Sequence, residues 1–284
     1  MYYTPQPIAV HTAPKMQNFR RGECGVYANI VLYDAPDFIM PNICIKRAVS
    51  GAVPTVVVCD LNDTEITELT PVSATSYPLD DEGEFEMLVL EGGNWPGLVS
   101  LMSGQYYYMR IDAGVFSYYT DELIIQYQDG TFPEACGETL VKLSWSVNGD
   151  CIVSGVTAAN PASPVYTYPM GETLDFYLFW RANLSRPEWD YEEQGEEDAH
   201  GVVQKSSQRL EKRWTLEGMP VSERIADAIT SCTLGENVTI EMSDGTVFSG
   251  ITNIKTEIGW NNGGCNATVQ MKFTTDYLLK QGCC

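Results

Sequence analysis

Two histidines, His11 and His200, are the whole imidazole supply of this 284-residue chain. No H-E-x-x-H surrounds either one, so the helical pair that grips a hydrolytic zinc is missing, and both read as surface residues. Neither G-x-x-x-x-G-K-[ST] nor G-x-S-x-G occurs, which removes the usual phosphate-cradling loop and the usual serine elbow. Carboxylates abound, 38 in all, and a glycosidase needs only two of them about 5 to 10 Å apart, so abundance by itself selects none. Glu188-Trp189-Asp190 sets an aromatic between two acids, as a sugar groove would, but more acids follow and a solvated acidic loop is the expectation. Asp60-Leu61-Asn62-Asp63-Thr64-Glu65 has the spaced oxygens of a calcium loop, yet Glu65 stands where the sharp turn requires glycine.

The nine cysteines form no C-x-x-C pair, and adjacent Cys283-Cys284 lack zinc spacing. The amino terminus has neither the basic start nor the apolar core of a secretory signal, so the reading is of reduced thiols in a chain folded in the cytosol. For the same reason the sequons at Asn62, Asn183, Asn237 and Asn266 carry no weight. The expectation is a protein that is not an enzyme, with no catalytic residue, no metal and no cofactor.

Seventeen basic residues against 38 acidic ones give a formal charge of −21. That balance opposes the phosphate neutralisation behind nucleic-acid affinity, so no sequence-specific nucleic-acid partner is expected. Apolar residues make up 44% of the chain but fall in short runs, not in the roughly 20 needed to cross a bilayer, so no membrane partner is expected either.

Most of those runs alternate, which puts every second side chain on one face of a sheet. Val26 to Tyr33, Ile43 to Ile45, Thr55 to Cys59, Phe85 to Leu90, Gln105 to Ile111 and Leu123 to Tyr127 are aromatic or β-branched and punctuated by Gly, Pro, Asp and Asn. They predict an N-terminal β-sandwich of about seven strands over residues 1–130. A turn-rich break at 128–138 separates it from a C-terminal β-rich, α+β domain over 131–284, giving a chain that is mainly β. There Val141 to Val147 alternates as a half-buried strand, Leu174 to Trp180 is apolar on both faces and should lie centrally, and Asn160 to Pro164 reads as a loop. One short helix is predicted near 220–232, since Val221, Ile225, Ala228, Ile229 and Cys232 form one apolar stripe between Pro220 and Gly235. Asp244-Gly245 between Val238–Met242 and Val247-Phe248 is a hairpin signal, and Val269 to Phe273 closes the set.

One charge pattern stands out. Glu188 to Asp198 contains seven acids, and Lys205, Arg209, Lys212 and Arg213 follow closely. A charged hairpin pairing with itself and complementary surfaces meeting between subunits explain this equally well. The candidate interface residues are therefore Glu192, Glu193, Glu196, Glu197, Lys205, Arg209, Lys212 and Arg213. The clustered tyrosines Tyr106, Tyr107, Tyr108, Tyr118 and Tyr119 predict cross-strand packing first and an aromatic interface second.

Phe38-Ile39-Met40-Pro41, Val56 to Leu61, Ser103 to Ile111 and Phe116 to Glu122 together resemble a protein group of phages and prophages of Bacteroidetes. In the second half, Gln208 to Trp214, Ile225 to Ile229, Ile258-Gly259-Trp260 and Val269 to Phe273 are similar to the same group. These loose patterns run over most of the chain and carry no site residues. The resemblance implies a virion component of the tail, neck or baseplate, crAss-like phages included, made in the host cytoplasm. Its partners would be other virion proteins and copies of itself. The first expectation is thus a ring, collar, tail or baseplate subunit. The second is a receptor- or glycan-binding module with Trp95, Trp189 or Trp260 as stacking platforms, and the third is a glycan-degrading enzyme.

Overall fold

The computed structural model describes residues 2–3, 6–8, 10–12, 29–34, 36–78, 84–97, 106–127, 140–148, 165–166, 173–197, 203–260 and 266–281. The 128–138 break, the 160–164 loop and His200 lie outside them. Strands dominate the rest, so the chain is mainly β with one short α-helix. In the N-terminal half they are β1 (Tyr2–Tyr3), β2 (Val10–His11), β3 (Asn29–Asp34), β4 (Asp37–Met40), β5 (Ile43–Ala48), β6 (Thr55–Asp60), β7 (Glu65–Leu69), β8 (Ala74–Pro78), β9 (Phe85–Leu90), β10 (Gly93–Pro96), β11 (Tyr106–Asp112), β12 (Ser117–Thr120) and β13 (Leu123–Tyr127). The C-terminal half contributes β14 (Leu140–Asn148), β15 (Val165–Tyr166), β16 (Thr173–Leu184), β17 (Glu188–Glu197), β18 (Val203–Gly218), β19 (Val221–Ser222), α1 (Glu223–Ser231), β20 (Glu236–Met242), β21 (Val247–Phe248), β22 (Thr252–Trp260) and β23 (Asn266–Gln281).

A nine-stranded sheet runs β10-β4-β3-β13-β11-β12-β2, with β6 on the other edge of β11 and β7 outside β6. A three-stranded sheet, β5-β9-β8, faces it. Between the two lies a sandwich core to which the large sheet gives Phe38, Met40, Val56, Val58, Met109 and Leu123 and the small sheet gives Ile43, Ile45, Leu88 and Leu90. Apart from Phe38 and Met40 of β4, these are alternate residues of predicted runs, turned to one side because strand side chains repeat every second position.

The small sheet is apolar on its other face too. Cys44, Met87 and Val89 belong to the core of the C-terminal half, so the continuous apolar run Ile43-Cys44-Ile45 is a strand buried on both sides. Backbone contacts reinforce this junction. The Asn42 amide donates to the Asp175 carbonyl at 3.0 Å, the Asp175 amide donates to the Asn42 side-chain oxygen at 2.8 Å, and the Tyr177 hydroxyl donates to the Ile39 carbonyl. Leu32, Leu140 and Phe179 add a small apolar cluster from both halves.

In the C-terminal half the sheet order is β19-β23-β18-β16-β14-β20-β21, with β17 on β18 and β22 on β23. Val141, Leu143, Trp145 and Val147 face inward from β14, and Leu174, Phe176, Leu178 and Trp180 face inward from β16. The sheet curls on itself, because the Phe248 ring of β21 sits 5.0 Å from Trp214 and 5.5 Å from Phe273. Gly218 is where the Trp180 ring passes. A Cβ there would lie 1.9 Å from Cζ2, so only glycine admits the indole. Helix α1 plugs the open side with Ile225, Ala228 and Ile229 buried, as the stripe predicts, and Ser222 caps it by accepting from the Ile225 amide. The Asp244-Gly245 hairpin also forms, with Gly245 at φ +85° and the Asp244 carboxylate accepting from the Thr246 amide at 2.8 Å.

Burial pushes the Cys44 and Cys232 thiols up to about 12 and raises Cys59 as well. All three are free thiols in the interior. Thiolate is the reactive form, so these cysteines should resist iodoacetamide at mildly alkaline pH in the intact chain. Cys44 also reports on the junction. In a fragment ending at residue 130 its face of the small sheet loses the C-terminal core, and it should alkylate at the rate of an unfolded control, as read by peptide mass spectrometry. Continued protection of Cys44 in that fragment would show that the N-terminal half covers this face unaided.

Candidate functional site

Strands β16 and β17 follow one another along a single edge of β18, separated only by Ser185, Arg186 and Pro187. Ala182–Leu184 pair with Leu216–Gly218, and Glu188–Glu197 pair antiparallel with Val203–Arg213. On the other edge of β18, β23 continues to Gln281, whereas β22 accompanies it only as far as Thr274. Among the described residues no core side chain comes from β17, and the core contributions of β18 and β23 stop at Trp214 and Phe273. The far ends of β17, β18 and β23 therefore form a three-stranded ribbon, whose outer edges pair with no further strand among the described residues.

This ribbon holds every candidate interface residue. The acidic stretch, expected as a solvated loop, is strand β17, and the basic cluster lies along β18 opposite it. The register sets Glu192 against Arg209, Glu193 against Gln208, Gly195 against Lys205, Glu196 against Gln204 and Glu197 against Val203. For Glu192, Glu193, Glu196, Glu197, Lys205 and Arg209 only these backbone positions are among the described features. Lys212 holds its ammonium 4.8 Å from the Trp214 ring centre and 5.8 Å from that of Trp189. Arg213 pairs with Asp190 and lies 3.7 Å from Glu211. Trp189 and Tyr191, two residues apart on one face of β17, are 56% and 52% exposed, which is where large aromatics gain most from a partner.

On the opposite face, β18, β23 and β22 line an open groove of about 440 Å³ with Glu211, Arg213, Lys272, Asn253, Lys255 and Glu257. Lys272 pairs with Glu257 at 2.7 Å. Lys255 is exposed and has no acid within ion-pair distance among the described residues. Sequence reasoning passed over this groove although a signal existed: in Thr252 to Trp260, Ile254 and Ile258 alternate with Lys255 and Glu257, the pattern of a half-buried strand.

The remaining candidates serve the fold. His11, expected as a plain surface residue, donates from Nε2 to Asp121 at 2.7 Å and accepts at Nδ1 from Arg224 of α1 at 3.2 Å, so it ties the two halves together. Asp60 closes the β6–β7 turn by accepting from the amides of Asn62 and Thr64, each at 2.8 Å. The Thr64 amide leads among the bonds that hold its carboxyl below the usual range. Its neighbour Asp63, at φ +66°, accepts from the Tyr108 hydroxyl at 2.8 Å. Among the described residues no group of three His, Cys, Asp or Glu could hold a metal ion, and no helix is long and apolar enough to cross a membrane. Trp95 corrects an expectation. It is fully buried and donates to the Glu91 carbonyl at 2.7 Å, so it offers no stacking platform, whereas Trp189 and Trp260 are about half exposed.

One further surface is apolar. The loops after β5 and β11 meet at one end of the sandwich and expose Val53 at 86% and Val115 at 87%, with Val49 and Phe116 beside them. Beneath them Arg47 is buried, pairs with Glu86 at 2.6 Å, and donates to the Ala52 carbonyl at 3.1 Å and to Ser76 at 3.2 Å. No protein-family model, curated protein or solved structure matches the chain.

Proposed function

We propose that this chain is a structural component of a bacteriophage virion, a ring, collar, tail or baseplate subunit that works through protein–protein interfaces and not as an enzyme. The ribbon of β17, β18 and β23 carries the reading. Open strand edges and exposed aromatics are a liability in an isolated chain and become an asset once a neighbour covers them. The virion setting rests on the sequence resemblance in both halves. Other virion proteins and further copies of the chain are then its partners, and it moves from the host cytoplasm into the particle.

Gradient-purified particles, probed with antiserum against the chain, should contain it in a fixed ratio to the major capsid protein. Recovery from the lysate alone, with none in washed particles, would overturn the proposal. A second reading, glycan binding by the particle, draws on Trp189 and Tyr191 sharing one face of β17. A glycan array discriminates, since retention of a sugar that Trp189→Ala abolishes belongs to that reading only.

A further inference from the structure

Strand β17 at one edge of the ribbon and β22 at the far edge of β23 are unlike in charge and alike in length. The first spans ten residues with six acids and no base. The second spans nine and borders the groove in which Arg213 and Lys272 are paired with Glu211 and Glu257, leaving Lys255 as the cation with no acid within ion-pair distance among the described residues. Each is therefore about 30 Å long at the usual rise of a strand. Each pairs with one strand only, β17 with β18 and β22 with β23, among the described residues. The bulge in β22 lies between Thr252 and Lys255, so Lys255 to Trp260 forms a regular edge.

We propose that the acidic edge β17 of one copy adds to the β22 edge of the next copy, with carboxylates set beside Lys255. This deepens the structural-subunit reading by naming the partner and both contact surfaces. Pairing β17 with another β17 would set six acids against six, and like charges across a ladder are unfavourable. The contact is therefore head-to-tail, and repetition of such a contact closes a ring or extends a filament. Main-chain bonds along the added strand supply affinity, and the charges choose the partner and register.

Sedimentation of the purified full chain at low and high salt tests this directly. The wild type should self-associate at micromolar concentration and dissociate as salt rises. Lys255→Glu, and separately Glu192→Lys with Glu193→Lys, should each weaken association by about tenfold or more, while an equimolar mixture of the two variants restores it. Lys255→Gln gives a milder step in the same direction, and circular dichroism verifies that each variant keeps its fold. A chain that stays monomeric throughout overturns the contact while leaving its presence in particles as a separate measurement. Association unmoved by the β17 substitutions overturns it as well, since a symmetric β22–β22 dimer would respond to Lys255→Glu alone.

Discussion

Arg47→Met is expected to destabilise the chain by about 3 to 5 kcal/mol, the usual cost of stranding one partner of a buried ion pair. The Arg47 side chain is 3% exposed and that of Glu86 is 9% exposed. They sit directly opposite each other on β5 and β9, at the end of the small sheet that both cores share. Methionine fills the stem volume but leaves the Glu86 carboxylate without its cation and the Ala52 carbonyl and Ser76 hydroxyl without their donor. The double variant Arg47→Met with Glu86→Leu should recover most of the loss, because an apolar pair of similar volume is often as stable as a buried ion pair. Denaturant unfolding followed by tryptophan fluorescence measures both. Equal losses in the single and double variants would mean that the carboxylate is not the source of the penalty and that the loop tether to Ala52 is.

The ion pair also shows where sequence reading stops. Lys46-Arg47-Ala48 ends an apolar run and reads as the point where a strand leaves the core. In the fold, Arg47 points inward because it follows Ile43 and Ile45 on the same face. Elements with one apolar face and one polar face were legible, as in Val141 to Val147 and Val238 to Met242 beside the Asp244-Gly245 hairpin. Their period follows from burial on a single side. Strand β17 carries six acids in ten residues and has no such period, since backbone pairing to β18 holds it and strand propensity disfavours its composition. The junction of the two halves was hidden for another reason. Asn42 with Asp175, and Ile39 with Tyr177, meet across more than 130 positions, and no local pattern records a contact between such distant residues.

The candidate site divides in the same way. The opposed charges of Glu188–Glu197 and Lys205–Arg213 were legible as a pair of stretches, and the structure makes them the two strands of one hairpin. Where β22 stops along β23 was not legible, because that is a pairing between strands and leaves no period in either one. Nor was the groove, whose cations Arg213, Lys255 and Lys272 come from three strands.

Ile225→Asp is expected to cost about 3 to 5 kcal/mol by placing an uncompensated charge in the core, a large share of the 5 to 15 kcal/mol that typically separates a folded domain from its unfolded chain. Ile225 is 7% exposed and packs with Val221, Ala228 and Ile229 in the C-terminal core. Helix α1 has nine residues, too few to persist by propensity, so its packed face is what keeps it helical. The neighbourhood is also unfavourable for another acid. Burial first, and Glu223 second, already raise the carboxyl of Asp227 above its ordinary range. The introduced carboxylate should likewise titrate above its unfolded value, so the penalty is full above its folded-state pKa and shrinks as pH falls through it. Ile225→Val, which removes one methylene and adds no charge, should cost only about 1 kcal/mol. Melting curves of the two variants at neutral and mildly acidic pH separate charge from packing. A wild-type melting temperature for Ile225→Asp would place this face of the helix in solvent and remove α1 from the core.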